Sequence, residues 1–309
     1  MTTPVAAAAG AAAAPASRAV TLILAATIIF SAMDGVSKFL ADSVPPLEVA
    51  FGRYAFYILF LLPVLLRPGS GVTAAAVLRP RRPVLQVVRG LLMLSSALFF
   101  ISALAITPLA TATAIFFVCP MIQTALAIPL LGERVGPRRW AAVAVGFVGM
   151  LVVVRPDGGS VDWGALLSLG SAVSWAGAVI ASRRIGTDDS AVVTTTWTGL
   201  AGFVGAALVV PFVWVTPTLP DLLLMAAMGA LAVAGHLLAV KAYALAEAST
   251  LAPFTYAQIV WAGLIGLAVF GHVPDAPTLL GSAVIVASGL YIWHRERLTA
   301  PPAAPPAAA

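Results

Sequence analysis

Residues 109–154 read LATATAIFFVCPMIQTALAIPLLGERVGPRRWAAVAVGFVGMLVVV. Two apolar runs flank a polar break that holds Gly132, Glu133 and three arginines. Each run is close to the ~20 residues a helix needs to cross the hydrocarbon core. Working outward, the same pattern recurs along the chain, with limits near 19–41, 46–66, 84–104, 109–131, 137–154, 163–183, 190–214, 221–243, 250–271 and 277–293. The interruptions are turn-like: Pro45-Pro46, Arg67-Pro68-Gly69, Thr107-Pro108, Gly136-Pro137, Asp157-Gly158-Gly159, Pro217 to Pro220 and Pro274 to Pro277. The expected fold is an all-α integral membrane protein of ten transmembrane helices.

Composition agrees. Of 309 residues 61% are hydrophobic and 9% charged, whereas soluble domains carry roughly 45–50% and about 25%. Mean hydropathy is +1.02. A soluble fold could not clothe its surface with so little charge, which excludes soluble enzymes, nucleic-acid binders and disulfide-stapled secreted modules. The single cysteine, Cys119, lies in an apolar run and reads as a small buried hydrophobe. Residues 1–17 are alanine-rich and 298–309 mostly Pro and Ala, and both are expected to be disordered tails.

Arginine and lysine in short loops report orientation. With the N-terminus cytoplasmic, twelve arginines fall inside (Arg18, Arg67, Arg79, Arg81, Arg82, Arg134, Arg138, Arg139, Arg183, Arg184, Arg295 and Arg297) and one, Arg155, falls outside. That asymmetry favours an even number of spans with both termini cytoplasmic, in a bacterial inner membrane.

The stretch from Ala103 to Val154 is similar to that from Ala242 to Trp293. Each has an Ala-x-Ala helix end, a turn, a proline-bearing span, a glycine (Gly132 or Gly271), a polar break and a glycine-bearing last span. An aromatic followed eight residues later by a basic residue also recurs, Phe30 with Lys38 and Trp175 with Arg183. The expected organisation is two five-helix halves, 18–155 and 156–297. Five being odd, the second half starts on the other side of the membrane, and such inverted repeats recur in alternating-access transporters.

Arg53, Arg89, the run from Phe99 to Leu109, Pro120 followed by Gly132-Glu133, and Ala252-Pro253-Phe254-Thr255-Tyr256-Ala257-Gln258 through Gly271 to Gly289 resemble the EamA-like ten-helix members of the drug/metabolite transporter superfamily. The resemblance implies a central cavity between the halves and transport of small organic solutes such as amino acids or vitamins. His272 departs from the pattern, standing where the second repeat commonly has a glutamate matching Glu133.

Ionisable groups at membrane depth are costly and mark candidate chemistry. Asp34 either faces the cavity, binding a cation or a coupling proton, or pairs with Lys38 one turn away. Arg53 and Arg89 offer planar guanidinium groups to an anionic solute. For Arg53 the alternative is a structural pair with Glu48 or Asp34, and for Arg89 an inner-face anchor. His236 titrates near neutrality when unperturbed and is the second candidate for a proton, against a neutral interhelical hydrogen-bonding role. Pro120 and Pro253 are candidate hinges, with Pro253 drawn in the first turn of its span. Phe117, Gln123, Trp175, Tyr256, Gln258 and Trp261 supply the aromatic rings and amides a solute pocket uses. No nucleotide-binding loop, metal-ligand cluster or catalytic set is present, so no enzyme activity and no cofactor are expected. The expected partners are a small-molecule substrate, the lipid bilayer, protons as coupling ion and a second copy of the chain. Carrier and passive channel both fit at this stage.

Overall fold

A computed structural model describes residues 5–66, 77, 79–133, 135–155, 162–186, 188–246 and 248–299. The Arg67-Pro68-Gly69 and Asp157-Gly158-Gly159 turns, Arg134 and the chain ends at 1–4 and 300–309 lie outside that set. Twelve α-helices follow one another: α1 Val5–Ala41, α2 Pro46–Leu66, α3 Pro83–Ile106, α4 Leu109–Phe116, α5 Cys119–Leu131, α6 Pro137–Val154, α7 Trp163–Ile185, α8 Ala191–Val209, α9 Leu219–Leu245, α10 Ala248–Thr255, α11 Ala257–Phe270 and α12 Ala276–Thr299. Among the described residues these make ten candidate membrane spans, because α4 with α5 and α10 with α11 each form one broken span. Helix α1 runs back to Val5 through alanines, the residue with the best helix propensity.

Span ends follow their caps. Ser190 and Asp162 accept hydrogen bonds from the backbone N–H groups of Val193 and Ala165, and Thr218 with Asp221 closes a capping box. At the other end, Gly132 and Gly271 terminate α5 and α11 with φ of 72° and 67°. Both glycines take the left-handed conformation in which a Cβ would be strained.

Packing joins the first span to the eighth and the third to the sixth, the second to the eighth and the third to the seventh, and the fifth to the tenth. Apolar residues such as Leu59, Val148, Leu208 and Val260 stay exposed on the outside of the bundle, where lipid replaces water. With no hydrophobic drive between helices in lipid, close contact relies on small residues and a few hydrogen bonds. Gly281 of the tenth span packs so tightly on the fifth that an added Cβ would lie 2.5 Å from the Gly149 carbonyl oxygen. Between the third and sixth spans, the Ser96 hydroxyl donates to the Ser171 carbonyl at 3.0 Å and the Ser171 hydroxyl returns a bond to the Ser96 carbonyl at 2.9 Å.

Polar clamps hold both faces. On the arginine-rich face Arg82 pairs with Asp188 at 2.7 Å, and Arg183 pairs with Glu133. Asp189 accepts from the Arg81 N–H at 2.8 Å and from the Gln86 amide at 2.9 Å. Burial works against its charge, but these bonds hold its carboxyl below the usual range. On the opposite face Arg155 pairs with Asp275. Asp275 also accepts from Thr278, whose hydroxyl and backbone N–H, aided by Arg155, keep its carboxyl low.

Candidate functional site

The two broken spans meet. The fourth span breaks at Phe117 and Val118 and the ninth at Tyr256, and the rings of Phe117 and Tyr256 lie 5.3 Å apart. Phe116 extends this wall, with its ring 5.8 Å from Phe117, 5.8 Å from Trp175 and 5.4 Å from Phe100. Aromatic pairs in this range are worth about 0.5–1.5 kcal/mol beyond their area. Phe117 and Tyr256 are 6% and 7% exposed.

The proline placements differ from those expected. Pro120 lies in the first turn of α5, where a missing N–H costs nothing, and the break precedes it. Pro253 is instead inside α10, not in a first turn, and the break follows it by one turn. In α4 the Phe117 N–H reaches the Thr113 carbonyl and the Val118 N–H the Ile115 carbonyl, so the helix tightens before it stops. Non-helical backbone at membrane depth is tolerated only where protein or an aqueous cavity surrounds it.

Asp34 of the first span is 7% exposed. Its Oδ2 accepts a hydrogen bond from the Gln258 Nε2 at 3.1 Å, and the Ser31 hydroxyl donates to the Gln258 carbonyl at 3.2 Å. Gln258 stands in the first turn of α11, two residues past Tyr256, so the carboxylate and the aromatic wall share the ninth span's break.

Asp34 does not pair with Lys38. The Lys38 ammonium donates to the carbonyls of Leu104 at 2.8 Å and Thr107 at 3.0 Å, and lies 5.6 Å from the centre of the Phe270 ring. The last carbonyls of α3 have no helical acceptor role left to fill, and a cation is the natural partner for a helix C-terminus. Arg53 has no ion pair among the described residues. Glu48 instead accepts from the Val215 N–H at 3.0 Å, and Arg53 lies 5.8 Å from the centre of the Tyr54 ring.

Arg89 is committed elsewhere. Its Nε donates to the Ser182 hydroxyl at 2.6 Å, and one terminal nitrogen donates to the Thr194 carbonyl at 3.2 Å and to the Thr198 hydroxyl. It therefore ties the third span to the sixth and seventh. His236 donates from Nδ1 to the carbonyl of Ala232 in its own helix at 2.7 Å, not across helices. Its ring meets Phe30 and Tyr57 edge-on at 5.3 and 5.8 Å. Among the described residues the buried indole N–H of Trp261 has no hydrogen-bond partner, and Gln123 is half-buried on α5. His272, standing in place of the acid expected opposite Glu133, stacks on Phe270 at 6.1 Å.

Phe116 is the functional candidate that the sequence did not single out. Inside an apolar run its only distinguishing mark was its place four residues before Pro120.

A model of the EamA-like transporter family matches the chain twice, over residues 17–155 and 162–293. The chain is 29% identical to an S-adenosylmethionine uptake transporter of Rickettsia bellii (strain RML369-C), covering 86% of this chain and 90% of that one. It is 31% identical to a riboflavin transporter of Rhizobium johnstonii, covering 88% of this chain and 89% of that one. A solved crystal structure shares the fold at a TM-score of 0.63 with 20% identity, covering 92% of this chain and 99% of the other. Two matches that together span nearly all of the helical chain, and relatives aligned over almost their whole length, identify a small-metabolite transporter embedded in a membrane. The chain belongs to the EamA-like transporter family.

Proposed function

We propose that the chain is a secondary carrier that moves a small organic metabolite by alternating access, with the solute seated between the breaks of the fourth and ninth spans. The observation that carries this reading is the meeting of Phe117 and Tyr256 at those breaks, with buried Asp34 bonded to Gln258, two residues past Tyr256. Broken helices at mid-membrane are the usual site of substrate binding in carriers built from repeats. The twofold family match fits two halves of opposite orientation rocking about that point. The arginine-rich face is cytoplasmic in this reading, as the excess of inside arginines implies, and the membrane is the bacterial inner membrane.

Relatives named for S-adenosylmethionine and riboflavin transport point to solutes that carry a fused heteroaromatic ring. A wall of five rings, Phe100, Phe116, Phe117, Trp175 and Tyr256, suits a flat ring system. Asp34 would receive a cationic group of the solute or the coupling proton. His236 is the second proton candidate: its Nδ1 donates to its own helix, which leaves Nε2 as the nitrogen that would take up a proton.

The test uses the purified chain in proteoliposomes, with riboflavin and S-adenosylmethionine as separate probes. A carrier accumulates label faster when unlabelled probe is preloaded inside. Saturable flux without this trans-stimulation would identify a channel instead.

A further inference from the structure

Tyr256 reaches into the tenth span. A Cβ built on Gly289 would lie 1.7 Å from the Tyr256 hydroxyl, 2.4 Å from its Cζ and 3.0 Å from its Cε2. No side chain larger than hydrogen fits there while the ring stays where it is. The hydroxyl end of the ring therefore occupies the space that every other residue at position 289 would fill.

The corresponding place in the first half is filled. Phe117 stands as far before Gly132 as Tyr256 stands before Gly271, and Met150 stands as far after Gly132 as Gly289 after Gly271. Met150 is buried in the same cluster as Phe117 and Tyr256. One break thus carries a phenylalanine with a long thioether at the matching position of the fifth span. The other carries a tyrosine, longer by a hydroxyl, seated in a notch of the tenth.

We infer that Gly289 is a positioning residue of the solute site: by leaving a notch in the tenth span it sets how far Tyr256 withdraws from the space between the two breaks, and so which solutes fit there. This rests on the proposed placement of the solute between Phe117 and Tyr256. Its consequence is specific. At position 289 the nearest atoms are all those of the Tyr256 ring, so a change at 289 acts on selectivity through that ring.

The direct test follows ring position without any solute. In a Cys119→Ser background, Phe117→Cys places a thiol opposite Tyr256, and its rate of reaction with a small methanethiosulfonate reagent is measured. Gly289→Ala should change that rate by about fivefold or more, and by less than about twofold once Tyr256→Leu has removed the colliding atoms. Equal changes in both backgrounds, or none in the first, would overturn the inference. Melting temperatures of Gly289→Ala, Tyr256→Leu and the double variant, in the otherwise native chain, give a second reading should the Phe117→Cys protein not fold. The loss from Gly289→Ala should vanish when Tyr256 is already leucine, and additive losses would count against it.

Uptake then separates the role from the contact. With a transported probe, Gly289→Ala should shift the riboflavin to S-adenosylmethionine uptake ratio by about tenfold, equivalent to one decade in a binding constant. An unchanged ratio overturns the positioning role. Absence of uptake of both probes by the native chain, alongside a coupled thiol rate, would refute the proposed carrier substrates and leave the seat of Tyr256 in Gly289 standing.

Discussion

Asp34 of the first span and Gln258 of the ninth are joined by one hydrogen bond of 3.1 Å between residues 224 apart in the chain. A buried acid tied by a single amide to the neighbouring broken helix is well placed to respond to that helix's movement. Asp34→Asn keeps the shape and removes the charge. It should lower probe uptake at least about tenfold, one decade or ~1.4 kcal/mol of coupling, while the melting temperature stays at or above that of the native chain. Uptake at the native rate, with an unchanged pH profile, would remove Asp34 from the mechanism. Gln258→Leu takes away the one donor to Asp34 seen among the described residues and should cost about 1–3 kcal/mol of stability as well as uptake.

Arg89 serves three acceptors on two other spans. Lysine can reach one or two of these but has no fork. Arg89→Lys should therefore destabilise the protein by about 2 kcal/mol, from hydrogen bonds to a charged group worth about 1.5–3 kcal/mol each. Thermal unfolding in detergent measures it, and the probe uptake remaining should scale with the amount of folded protein. A selective loss of solute affinity with native stability would instead return Arg89 to the site.

Gly281→Ala and Gly263→Ala make a matched pair. The first drives a Cβ to 2.5 Å from the Gly149 carbonyl and 3.0 Å from the Val153 nitrogen, and neither backbone atom can rotate away. It should cost about 1–3 kcal/mol by forcing the fifth and tenth spans apart. The second meets nothing nearer than Pro274 at 3.8 Å. It should be neutral or stabilising by up to about 1 kcal/mol, through helix propensity. Comparable melting temperatures for the two variants would contradict the packing described.

Asp275 sets a pH dependence at the face opposite the arginine-rich one. Hydrogen bonds from Thr278, with Arg155 in support, hold its carboxyl below the usual range. A carboxyl depressed in the folded state stabilises the fold above its unfolded value, near about 3.9. The contribution fades as pH falls through the lower folded value. Asp275→Asn should therefore melt below the native protein at pH 7, and the gap should begin to close only below about pH 4 and vanish once the pH is under the depressed folded value. Because the pair is half exposed, the gap at pH 7 should shrink with added salt. A gap that widened on acidification would reverse the sign argued here.

Span number and limits were legible because length and hydropathy act on every residue of a span at once: the run expected at 137–154 is α6, and that at 109–131 is α4 with α5. Orientation of single side chains was not legible. Lys38 looked one turn away from Asp34, yet its partners are carbonyls at the end of the third span, which no spacing in the first could announce. The prolines marked the two broken spans correctly but not the break points. A proline fixes where a helix cannot continue and leaves neighbouring residues to decide where it stops. Asp34, Phe117, Tyr256 and Gln258 could be singled out as candidates because charge, amides and rings stand out in an apolar chain, and the structure sets Gln258 on Asp34 and Phe117 against Tyr256. Phe116 was missed because one more aromatic beside another carries no separate signal.

The two breaks also have an electrical meaning. Helix α4 enters from one face and α10 from the other, each with eight residues before its break. At 1.5 Å per residue that is about 12 Å of depth from each side of a core near 30 Å. Phe117 and Tyr256 therefore meet close to half depth, so a monovalent cation resting between them has crossed about half of the membrane potential, or ~1.1 kcal/mol per 100 mV. Loading from one side and release to the other would share the voltage dependence almost equally.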